Sequence, residues 1–324
     1  MVQAIRIHAT GGPEVLQYES VEVGAPAAGE ARVRNAAIGV NFVDTYNRSG
    51  LYPLKLPSGL GSEGAGVVVA VGSGVDYLKA GDRVAYCVGP QGAYAEERVM
   101  PADRLVKIPD GIDDVTAATA MLKGLTVQYL FRQTHVLKSG DTILFHAAAG
   151  GVGLIACQWA RALGVTMIGT VGSDEKAAVA KSNGCAHTIV YTRENFVERV
   201  KEITGGKGVP VAYDSIGKDT FPASLDCISP RGLFVSFGSA SGPIAAFNLG
   251  MLAPKGSLYV TRPTLFTYAA KRADLLAMAD ELFGLILAGK NKSEARQRFA
   301  LKDAADAHRA LESRQTTGAT VLIP

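Results

Sequence analysis

The stretch Thr142-Ile-Leu-Phe-His-Ala-Ala-Ala-Gly-Gly-Val-Gly153 decides the fold of this chain. Its apolar start predicts a short buried strand, and its end predicts a glycine turn that opens a helix. The spacing matches the fingerprint G-x-G-x-x-G, with Ala148 at the first glycine position and Gly150 and Gly153 at the others. Glycine at 150 lets the backbone approach a pyrophosphate, and glycine at 153 lets the helix pack closely on the strand. Alanine at 148 is compatible with this turn if no positive φ is required there.

From about Leu137 onward, the same order of apolar run, turn and helical segment repeats. Gly164 and Gly184 follow two of the helical segments, at the position where a glycine ends a helix. The second apolar run, 166–171, lies at the distance that a βαβ unit requires, which favours dinucleotide binding over an ordinary turn. The pattern predicts an α/β fold with a doubly wound parallel sheet. The predicted strands are 142–146, 166–171, 188–191, 211–214, 233–237 and 258–261.

Residues 1 to about 125 show a different pattern, with short strands between Gly- and Pro-rich turns. This pattern is typical of a mainly β domain with few helices. The tail adds an amphipathic segment around 273–288 and a closing apolar run, 319–323, that can return to the first domain as a strand. We therefore predict a nucleotide-binding domain at 126–263, inserted into a catalytic domain made of 1–125 and 264–324. The strands predicted in the first part are 2–9, 30–38, 66–71, 83–85 and 94–99.

Composition and charge narrow the possible functions. The net charge of the 324 residues is +3 and is spread along the chain, so we expect no nucleic-acid partner. No apolar stretch has the length of a signal peptide or a membrane span, and we expect a cytoplasmic protein without membrane insertion. The histidines lack metal-binding spacing, and His146 alone lies beside the glycine loop. Wide spacing predicts buried free thiols rather than a zinc site for the four cysteines, Cys87, Cys157, Cys185 and Cys227.

The end of the second predicted strand indicates which nicotinamide cofactor binds. NAD-binding proteins place a carboxylate there for the ribose 2′-hydroxyl, whereas this strand ends in Val-Gly-Ser173, with Lys176 one turn into the next helix. A hydroxyl and a cation suit the 2′-phosphate of NADPH. The alternative is that Ser173 only caps the helix and Lys176 is a surface residue. Asp174 argues for NADH if its carboxylate can reach the ribose.

Further motifs give the whole chain a family resemblance: Asn41-Phe-Val-Asp44, Gly61-Ser-Glu-Gly-Ala-Gly66, Lys123-Gly-Leu-Thr126, the glycine loop and Tyr213-Asp-Ser-Ile-Gly217. The chain resembles the medium-chain dehydrogenase/reductase superfamily and, within it, the quinone oxidoreductase branch related to zeta-crystallin. The resemblance implies a Rossmann sheet inserted into a GroES-like catalytic domain. Zinc-dependent relatives carry a cysteine near Asn41 and a histidine near Ser62, so these residues imply a zinc-free enzyme. Without a Lewis acid, hydride from NADPH is expected to go to a quinone, whose product anion is delocalised.

The resemblance also implies a role for individual residues. Asn41, Tyr46 and Tyr52 are expected to be catalytic, the tyrosines by stacking on a quinone or bonding its oxygen, with loop packing as the alternative. Asn41 and Thr126 are expected at the nicotinamide. The other expected cofactor contacts are Gly150, Gly151 and Val152 at the pyrophosphate, Ser173, Lys176, Tyr191 and Arg314 at the 2′-phosphate, and Ser215, Ile216, Phe237 and Gly238 at the ribose and ring.

Two other functions are also considered from the sequence. The same hydride geometry serves an NADPH-dependent reductase of α,β-unsaturated ketones or aldehydes. A non-catalytic NADPH-binding protein with a crystallin-like or RNA-binding role is disfavoured, because basic and aromatic residues are not interleaved. The run 256–261 predicts an edge strand, and since relatives pair two such edges, the resemblance implies a homodimer.

Overall fold

A computed structural model describes residues 1–314 and 316–324 of the chain. The chain divides into two compact units, the first formed by Met1–Leu125 and Tyr268–Pro324 and the second by Thr126–Thr267. The strands, numbered along the whole chain, are β1 Val2–Ile7, β2 Gln17–Val21, β3 Glu30–Val40, β4 Ser58–Gly59, β5 Glu63–Val71, β6 Arg83–Tyr86, β7 Glu97–Pro101, β8 Val106–Lys107, β9 Thr142–Phe145, β10 Thr166–Val171, β11 His187–Val190, β12 Val209–Asp214, β13 Ile228–Ser236, β14 Tyr259–Thr261, β15 Ala295–Ala300 and β16 Ala319–Ile323. The α-helices are α1 Phe42–Ser49, α2 Asp114–Tyr129, α3 Gly151–Leu163, α4 Asp174–Ser182, α5 Phe196–Ile203, α6 Leu265–Tyr268, α7 Arg272–Leu287 and α8 Ala304–Glu312.

The second unit is built on a parallel sheet with the strand order β11-β10-β9-β12-β13-β14. The order reverses at β9, as it does in a doubly wound sheet, so the predicted fold class is confirmed. β9 and β10 read as almost continuous apolar runs because helices cover both faces of such a sheet. All six apolar runs predicted in this region form strands, with shifts at several ends.

Glycines end the first two helices of this unit where the sequence predicts. Gly164, the C-cap of α3, has a φ of 72°, and Gly184, just after α4, has a φ of 104°. Both angles lie in the left-handed region, where a residue with a Cβ is strained. The apolar faces of these elements bury a continuous core that includes Leu144, Ile168 and Phe234.

The first unit contains two sheets. A three-stranded sheet has the order β2-β1-β4, and a larger sheet has the order β15-β16-β3-β5-β6-β8, with β7 also paired to β3. The closing strand β16 pairs antiparallel with β3, Thr320 opposite Val40, so the tail returns to the first domain as predicted. A core around Ile38, Val84 and Leu322 joins the two parts of the sequence. The nucleotide-binding unit is therefore an insertion in the chain of the first unit.

Two helices interrupt the β pattern predicted for residues 1–125. Helix α1 starts after Asn41, whose backbone N–H donates to the Asp44 carboxylate at 2.9 Å, one half of a capping box, and α2 starts at Asp114. Some strands were also missed: β2 and β15 are rich in polar residues, with exposed positions in both. Among the described residues, no helix is long and apolar enough to cross a membrane.

The close approach at Gly153 gives a test of the predicted motif. A Cβ at this position would lie 2.3 Å from the carbonyl oxygen of Ala147 and 2.6 Å from the carbonyl carbon of Ala148, so backbone would have to move. We expect Gly153→Ala to lower the free energy of unfolding by about 1–3 kcal/mol, as overpacking does.

The matched control is Gly284→Ala, on the exposed side of α7, where a Cβ would meet nothing within 4 Å. We expect this variant to raise the free energy of unfolding by about 0.5–1 kcal/mol, because alanine loses less entropy than glycine in a helix. Urea unfolding followed by circular dichroism measures both. Equal effects in the two variants would contradict the packing argument.

Candidate active site

The glycine loop joins β9 to α3 through a strained alanine. Ala147 has a φ of 57°, whereas Ala148, at the first fingerprint position, does not share this angle. Alanine at 148 is therefore compatible with this turn. The strained backbone lies at Ala147, one residue before the first glycine position of the fingerprint. Ala148 N–H donates to the Thr170 oxygen on β10 at 3.0 Å, and Gly150 N–H donates back to the Ala147 oxygen at 3.0 Å. These bonds fix the loop on the sheet.

The three predicted pyrophosphate residues lie together at the start of α3. Gly150 is the N-cap, and Gly151 and Val152 are the first helical residues, both partly exposed. The first bond within the helix runs from Leu154 N–H to the Gly150 oxygen at 2.9 Å. The N–H groups before Leu154 have no acceptor one turn earlier in the helix, so they and the helix dipole form an anion-binding end.

The residues predicted for the 2′-phosphate gather at the carboxyl ends of β10 and β11, except Arg314. Ser173 caps α4, its hydroxyl accepting the Lys176 backbone N–H at 3.3 Å. The ring of Tyr191 lies against Gly172, because a Cβ there would be 3.1 Å from the tyrosine oxygen. Ser173 therefore caps α4, as the alternative interpretation of the sequence states. Like Tyr191, it also lies at the carboxyl ends of β10 and β11.

Asp174, the residue that favoured NADH, is held by a partner that sequence reasoning missed. Both terminal nitrogens of Arg193 bond its carboxylate, each at 2.5 Å. The guanidinium of Arg193 keeps the pKa of this carboxyl below its usual range. In the sequence, this pair could have been suspected from the arginine that lies two residues after Tyr191.

The predicted ribose and ring residues lie side by side after β12 and β13. Phe237 N–H donates to the Asp214 oxygen at 2.8 Å, and Gly238 packs so closely that a Cβ would lie 2.5 Å from the Ser215 oxygen. Ile216 is joined to the same loop through the Ser241 N–H, at 2.9 Å. The structure therefore brings Ser215, Ile216, Phe237 and Gly238 together.

The side chains of Phe145 and Arg262 hold the loop that follows β13. The ring of Phe237 packs on Phe145 of β9, with 5.6 Å between ring centroids. Arg262, just beyond β14, donates to the Ser236 hydroxyl and to the Gly238 oxygen, both at 2.7 Å. Sequence reasoning missed Arg262, since nothing local links it to a loop more than twenty residues earlier in the chain.

In the first unit, Asn41 is fixed by a buried ion pair. Its side-chain Nδ2 donates to Glu63 Oε2 at 2.8 Å, and Lys123 Nζ lies 3.0 Å from the same oxygen. The other carboxylate oxygen accepts the Leu122 backbone N–H at 2.7 Å. The side chains of Glu63 and Lys123 are 0% and 6% exposed, so the lysine charge is compensated inside the protein.

A second buried network begins at Asp44. Its Oδ2 accepts the hydroxyl of Tyr94 at 2.9 Å, and the same tyrosine oxygen lies 3.0 Å from His308 Nε2. Arg48 Nη1 lies 3.0 Å from His308 Nδ1. Because an arginine can only donate, Nδ1 accepts and Nε2 carries the imidazole hydrogen, which it donates to Tyr94. Arg48 continues the network to Glu312 through two bonds of 2.7 and 3.0 Å.

Burial shifts the pKa values of Asp44 and His308 in this network. Desolvation, which exceeds the opposing hydrogen bonds from Asn41 and Tyr94, raises the pKa of Asp44 to about 7. Desolvation and the nearby Arg48 charge lower the pKa of His308 to about 3, which agrees with a neutral imidazole. Asp44 Oδ1 has no hydrogen-bond partner among the described residues, and it is the oxygen left for the proton when this carboxyl is neutral.

The remaining predicted residues lie in less decisive surroundings. Tyr46 is on α1, and its ring packs edge-on against Tyr52 with centroids 5.4 Å apart, which fits both the packing and the substrate interpretation. Thr126 is buried in α2, and Arg314 follows α8 with a φ of 58°. His146 is buried and bonded to Thr170 and Ser224, each at 2.9 Å, so it stabilises the sheet.

The residues at the zinc-ligand positions have other partners. Asn41 binds Glu63, and the Ser62 hydroxyl accepts Gln91 Nε2 at 2.9 Å. In the part of the chain that the structure describes, no three His, Cys, Asp or Glu side chains are grouped so that they could hold a metal ion. The residues present do not fit a zinc centre at this place.

Two family models match the chain. Residues 27–110 match the alcohol dehydrogenase GroES-like domain, and residues 151–281 match the zinc-binding dehydrogenase model. Quinone oxidoreductase of Pseudomonas aeruginosa is 62% identical over all of both chains. The crystal structure of Escherichia coli quinone oxidoreductase complexed with NADPH superposes with a TM-score of 0.98 at 53% identity, over 99% of this chain and 100% of that one. 2-Haloacrylate reductase of a Burkholderia species is 49% identical over 100% of this chain and 99% of its own.

The doubly wound sheet, the GroES-like domain and the glycine loop define a medium-chain dehydrogenase/reductase. The family resemblance in the sequence is thereby confirmed. Within this superfamily, the chain belongs to the zinc-free quinone oxidoreductase branch.

The raised pKa of Asp44 predicts a specific pH dependence of stability. The unfolded carboxyl loses its proton near 3.8 and the folded one near 7, so the folded state is destabilised as the pH rises through this window. Relative to Asp44→Asn, which cannot ionise, the free energy of unfolding of the unsubstituted chain should therefore fall between about pH 4 and pH 7. Each pH unit within the window is worth up to about 1.4 kcal/mol.

Urea unfolding of both proteins at several pH values measures this difference. The opposite contribution of His308, whose low pKa costs stability as the pH falls from 6.5 towards 3, is present in both proteins and cancels. Asp306→Asn, an exposed carboxylate on α8, is the control for loss of a charge. Parallel profiles for Asp44→Asn and the unsubstituted chain would contradict the assignment.

Proposed function

We propose that this chain is an NADPH:quinone oxidoreductase that transfers hydride to a quinone without a metal ion. The observation that carries the proposal is the phosphate loop at the start of α3, together with the neighbouring loops after β10, β12 and β13. Relatives named quinone oxidoreductase, 53% to 62% identical over the whole chain, support the same activity. NADPH, when bound, supplies the hydride, and the chain's residues bind and orient both reactants.

The cofactor preference follows from the surroundings of Ser173. No carboxylate ends β10, and the nearby carboxylate of Asp174 is engaged by Arg193. Ser173, Lys176 and Tyr191 offer hydroxyl groups and a cation at the ends of β10 and β11, which suits a phosphate monoester. We assign Arg314 to the same phosphate. Gly150, Gly151 and Val152 bind the pyrophosphate, while Ser215, Ile216, Phe237 and Gly238 line the ribose and ring.

The choice of acceptor follows from the residues around Asn41. Its amide is held by Glu63, so it presents a fixed, neutral hydrogen-bonding group. We assign Asn41 and Thr126 to the nicotinamide, and Tyr46 and Tyr52 to the substrate, where a tyrosine ring offers a flat face and a hydroxyl. Such a site orients the reactants but adds no strong positive charge, so the acceptor has to delocalise the charge that hydride brings. Quinones meet this condition, and a hydroquinone anion takes its proton from water.

A conjugated enone or aldehyde is the second candidate substrate. The 49% identical relative is named for the reduction of a 2-haloacrylate, which carries a carbon–carbon double bond next to a carboxylate. Hydride addition to such a bond also gives a delocalised anion.

We further propose a cytoplasmic homodimer that pairs two β14 edges. β14 ends the parallel sheet, and Tyr259 on it is 63% exposed, so the strand offers an unpaired side to a second copy. Light scattering tests the dimer: a mass near the 33.9 kDa of one chain would contradict it.

Lys176 and Arg314 should set the preference for NADPH over NADH. We expect Lys176→Ala and Arg314→Ala each to raise the KM for NADPH about tenfold, the value of one charged hydrogen bond, with little change in kcat or in the KM for NADH. Steady-state kinetics with both cofactors measures the effect. Lys181→Ala, an exposed lysine on the same helix as Lys176, should leave the preference unchanged. An unchanged NADPH-to-NADH ratio in both test variants would reject their roles.

An acceptor screen tests the function itself. NADPH oxidation is followed by absorbance with a quinone, with an enone and without acceptor. Turnover with quinone supports the proposal, and turnover with the enone alone selects the second candidate. Binding of NADPH without turnover in any mixture would leave a non-catalytic NADPH-binding protein.

A further inference from the structure

The side chain of Asp214, the last residue of β12, is fully buried and holds the turn that follows the strand. Its Oδ1 accepts the backbone N–H of Ile216 at 2.6 Å and that of Gly217 at 3.0 Å, and its Oδ2 accepts the Thr220 hydroxyl at 2.6 Å. All three partners donate, so both carboxylate oxygens act as acceptors. An aspartate that bonds the backbone two residues later forms an Asx turn, which fixes the course of the chain after the strand.

The conformation of this turn depends on the carboxylate. Gly217 has a φ of 91°, in the left-handed region, so the chain bends sharply where the Asp214 side chain holds it. Ile216 is partly buried and Gly217 is buried. Without the carboxylate, the N–H groups of both residues would lose their acceptor, and a buried donor without an acceptor is costly. The turn would therefore rearrange.

Asp214 also joins this turn to the neighbouring loop after β13. Its backbone oxygen accepts the Phe237 N–H at 2.8 Å, and the Ser215 oxygen accepts the Ala240 N–H at 3.1 Å. Asp214 thus contacts both loops that are assigned above to the ribose and ring of the cofactor.

A chain of hydrogen bonds continues from Thr220 to the glycine loop. The Ser224 hydroxyl donates to the Thr220 oxygen at 2.9 Å, so it accepts the hydrogen of His146 Nε2, also at 2.9 Å. His146 Nδ1 then accepts the Thr170 hydroxyl at 2.9 Å, and the Thr170 oxygen accepts the Ala148 N–H at 3.0 Å. Burial lowers the pKa of His146, which agrees with a neutral imidazole. These bonds link the turn after β12 with the loop assigned to the pyrophosphate.

We propose that Asp214 is a positioning residue for the dinucleotide: its carboxylate orders the turn assigned to the ribose and nicotinamide ring before the cofactor binds. The inference rests on the proposed function, because it takes the cofactor contacts of Ser215 and Ile216 from there. Asp214 acts through these two residues. Since an ordered turn loses little conformational freedom on binding, the affinity for the nicotinamide half of the cofactor depends on this carboxylate.

The binding of two nucleotides to the full chain tests this role. The turn after β12 is assigned to the nicotinamide half of NADPH, which adenosine 2′,5′-bisphosphate lacks. We expect Asp214→Ala to raise the Kd for NADPH about tenfold, the value of one charged hydrogen bond, and to leave the Kd for the bisphosphate unchanged. Isothermal titration calorimetry measures both constants. A general loss of structure would weaken both nucleotides alike.

Three further variants complete the design. Asp214→Asn keeps one oxygen for the two N–H groups, and its NH2 group can donate to Thr220, whose hydroxyl then turns to the Gly217 oxygen, 3.2 Å away. This variant should bind NADPH more tightly than Asp214→Ala does. Thr220→Val removes one donor and should raise the Kd for NADPH by a smaller factor, and it decides the test if Asp214→Ala does not fold. The control is Asp226→Ala, which removes an exposed carboxylate paired with Lys255 and should bind both nucleotides like the unsubstituted chain.

The outcomes separate this inference from the proposed function. Equal weakening of both nucleotides by Asp214→Ala, or an unchanged Kd for NADPH in the variant that decides the test, would overturn the positioning role alone. The same holds if Asp214→Asn binds NADPH no better than Asp214→Ala. An unsubstituted chain that does not bind NADPH would instead reject the proposed function, and the inference with it.

Discussion

The close approach of α3 to the sheet is the constraint on which the nucleotide-binding unit depends. Two glycines lie where a Cβ has no room. Gly153 of α3 faces the backbone of Ala147 and Ala148, and a Cβ on Gly169 of β10 would lie 2.5 Å from the Cβ of Ala148. This contact fixes the direction in which the first turn of α3 points its N–H groups. The left-handed φ of Ala147, which costs about 1 kcal/mol or more, persists because the loop is bonded to β10 on one side and to α3 on the other.

The first unit depends on a different constraint, the compensation of charges that are buried. Glu63 and Lys123 are almost inaccessible, and each is tolerable only because the other is present. The same carboxylate orients the Asn41 amide, so an interaction that stabilises the fold also positions a residue of the candidate site. The charge of Arg48, whose side chain is 3% exposed, is likewise compensated, in this case by Glu312. Arg48 also sets the tautomer of His308, because its Nη1 donates to Nδ1.

The sequence predicted the elements that a local pattern encodes. Parallel strands such as β10 are continuous apolar runs, and left-handed glycines such as Gly164 mark helix ends, so the second unit was foreseen almost strand by strand. Helix α1 was missed because its start depends on the capping box of Asn41 and Asp44 rather than on apolar spacing. β2 was missed because its polar and exposed residues show no hydrophobic periodicity that distinguishes a strand from a loop.

The residues of the candidate site also fall into two groups, those that the sequence predicts and those that it does not. Residues on the motif itself, such as Gly150, or at strand ends, such as Ser173, could be named from the sequence, because a parallel sheet brings its carboxyl ends together. Partners from distant parts of the chain could not, since the pairing of Glu63 with Lys123 spans 60 residues and that of Arg262 with Ser236 spans 26. Such contacts are set by tertiary packing, and no local spacing records them.

The buried pair next to Asn41 also connects the fold to the chemistry. In zinc-dependent relatives, a metal ion at this place would supply positive charge to a developing oxyanion. Here the ammonium of Lys123 lies close by, but its charge is already compensated by Glu63, and Asn41 contributes only an amide. The Glu63–Lys123 pair beside Asn41 is thus polar and buried without a net charge of its own. With Asn41 assigned to the nicotinamide, as proposed, we expect hydride transfer to be fastest to acceptors that stabilise their own product anion, and an extended conjugated system such as a quinone does so better than an isolated carbonyl group.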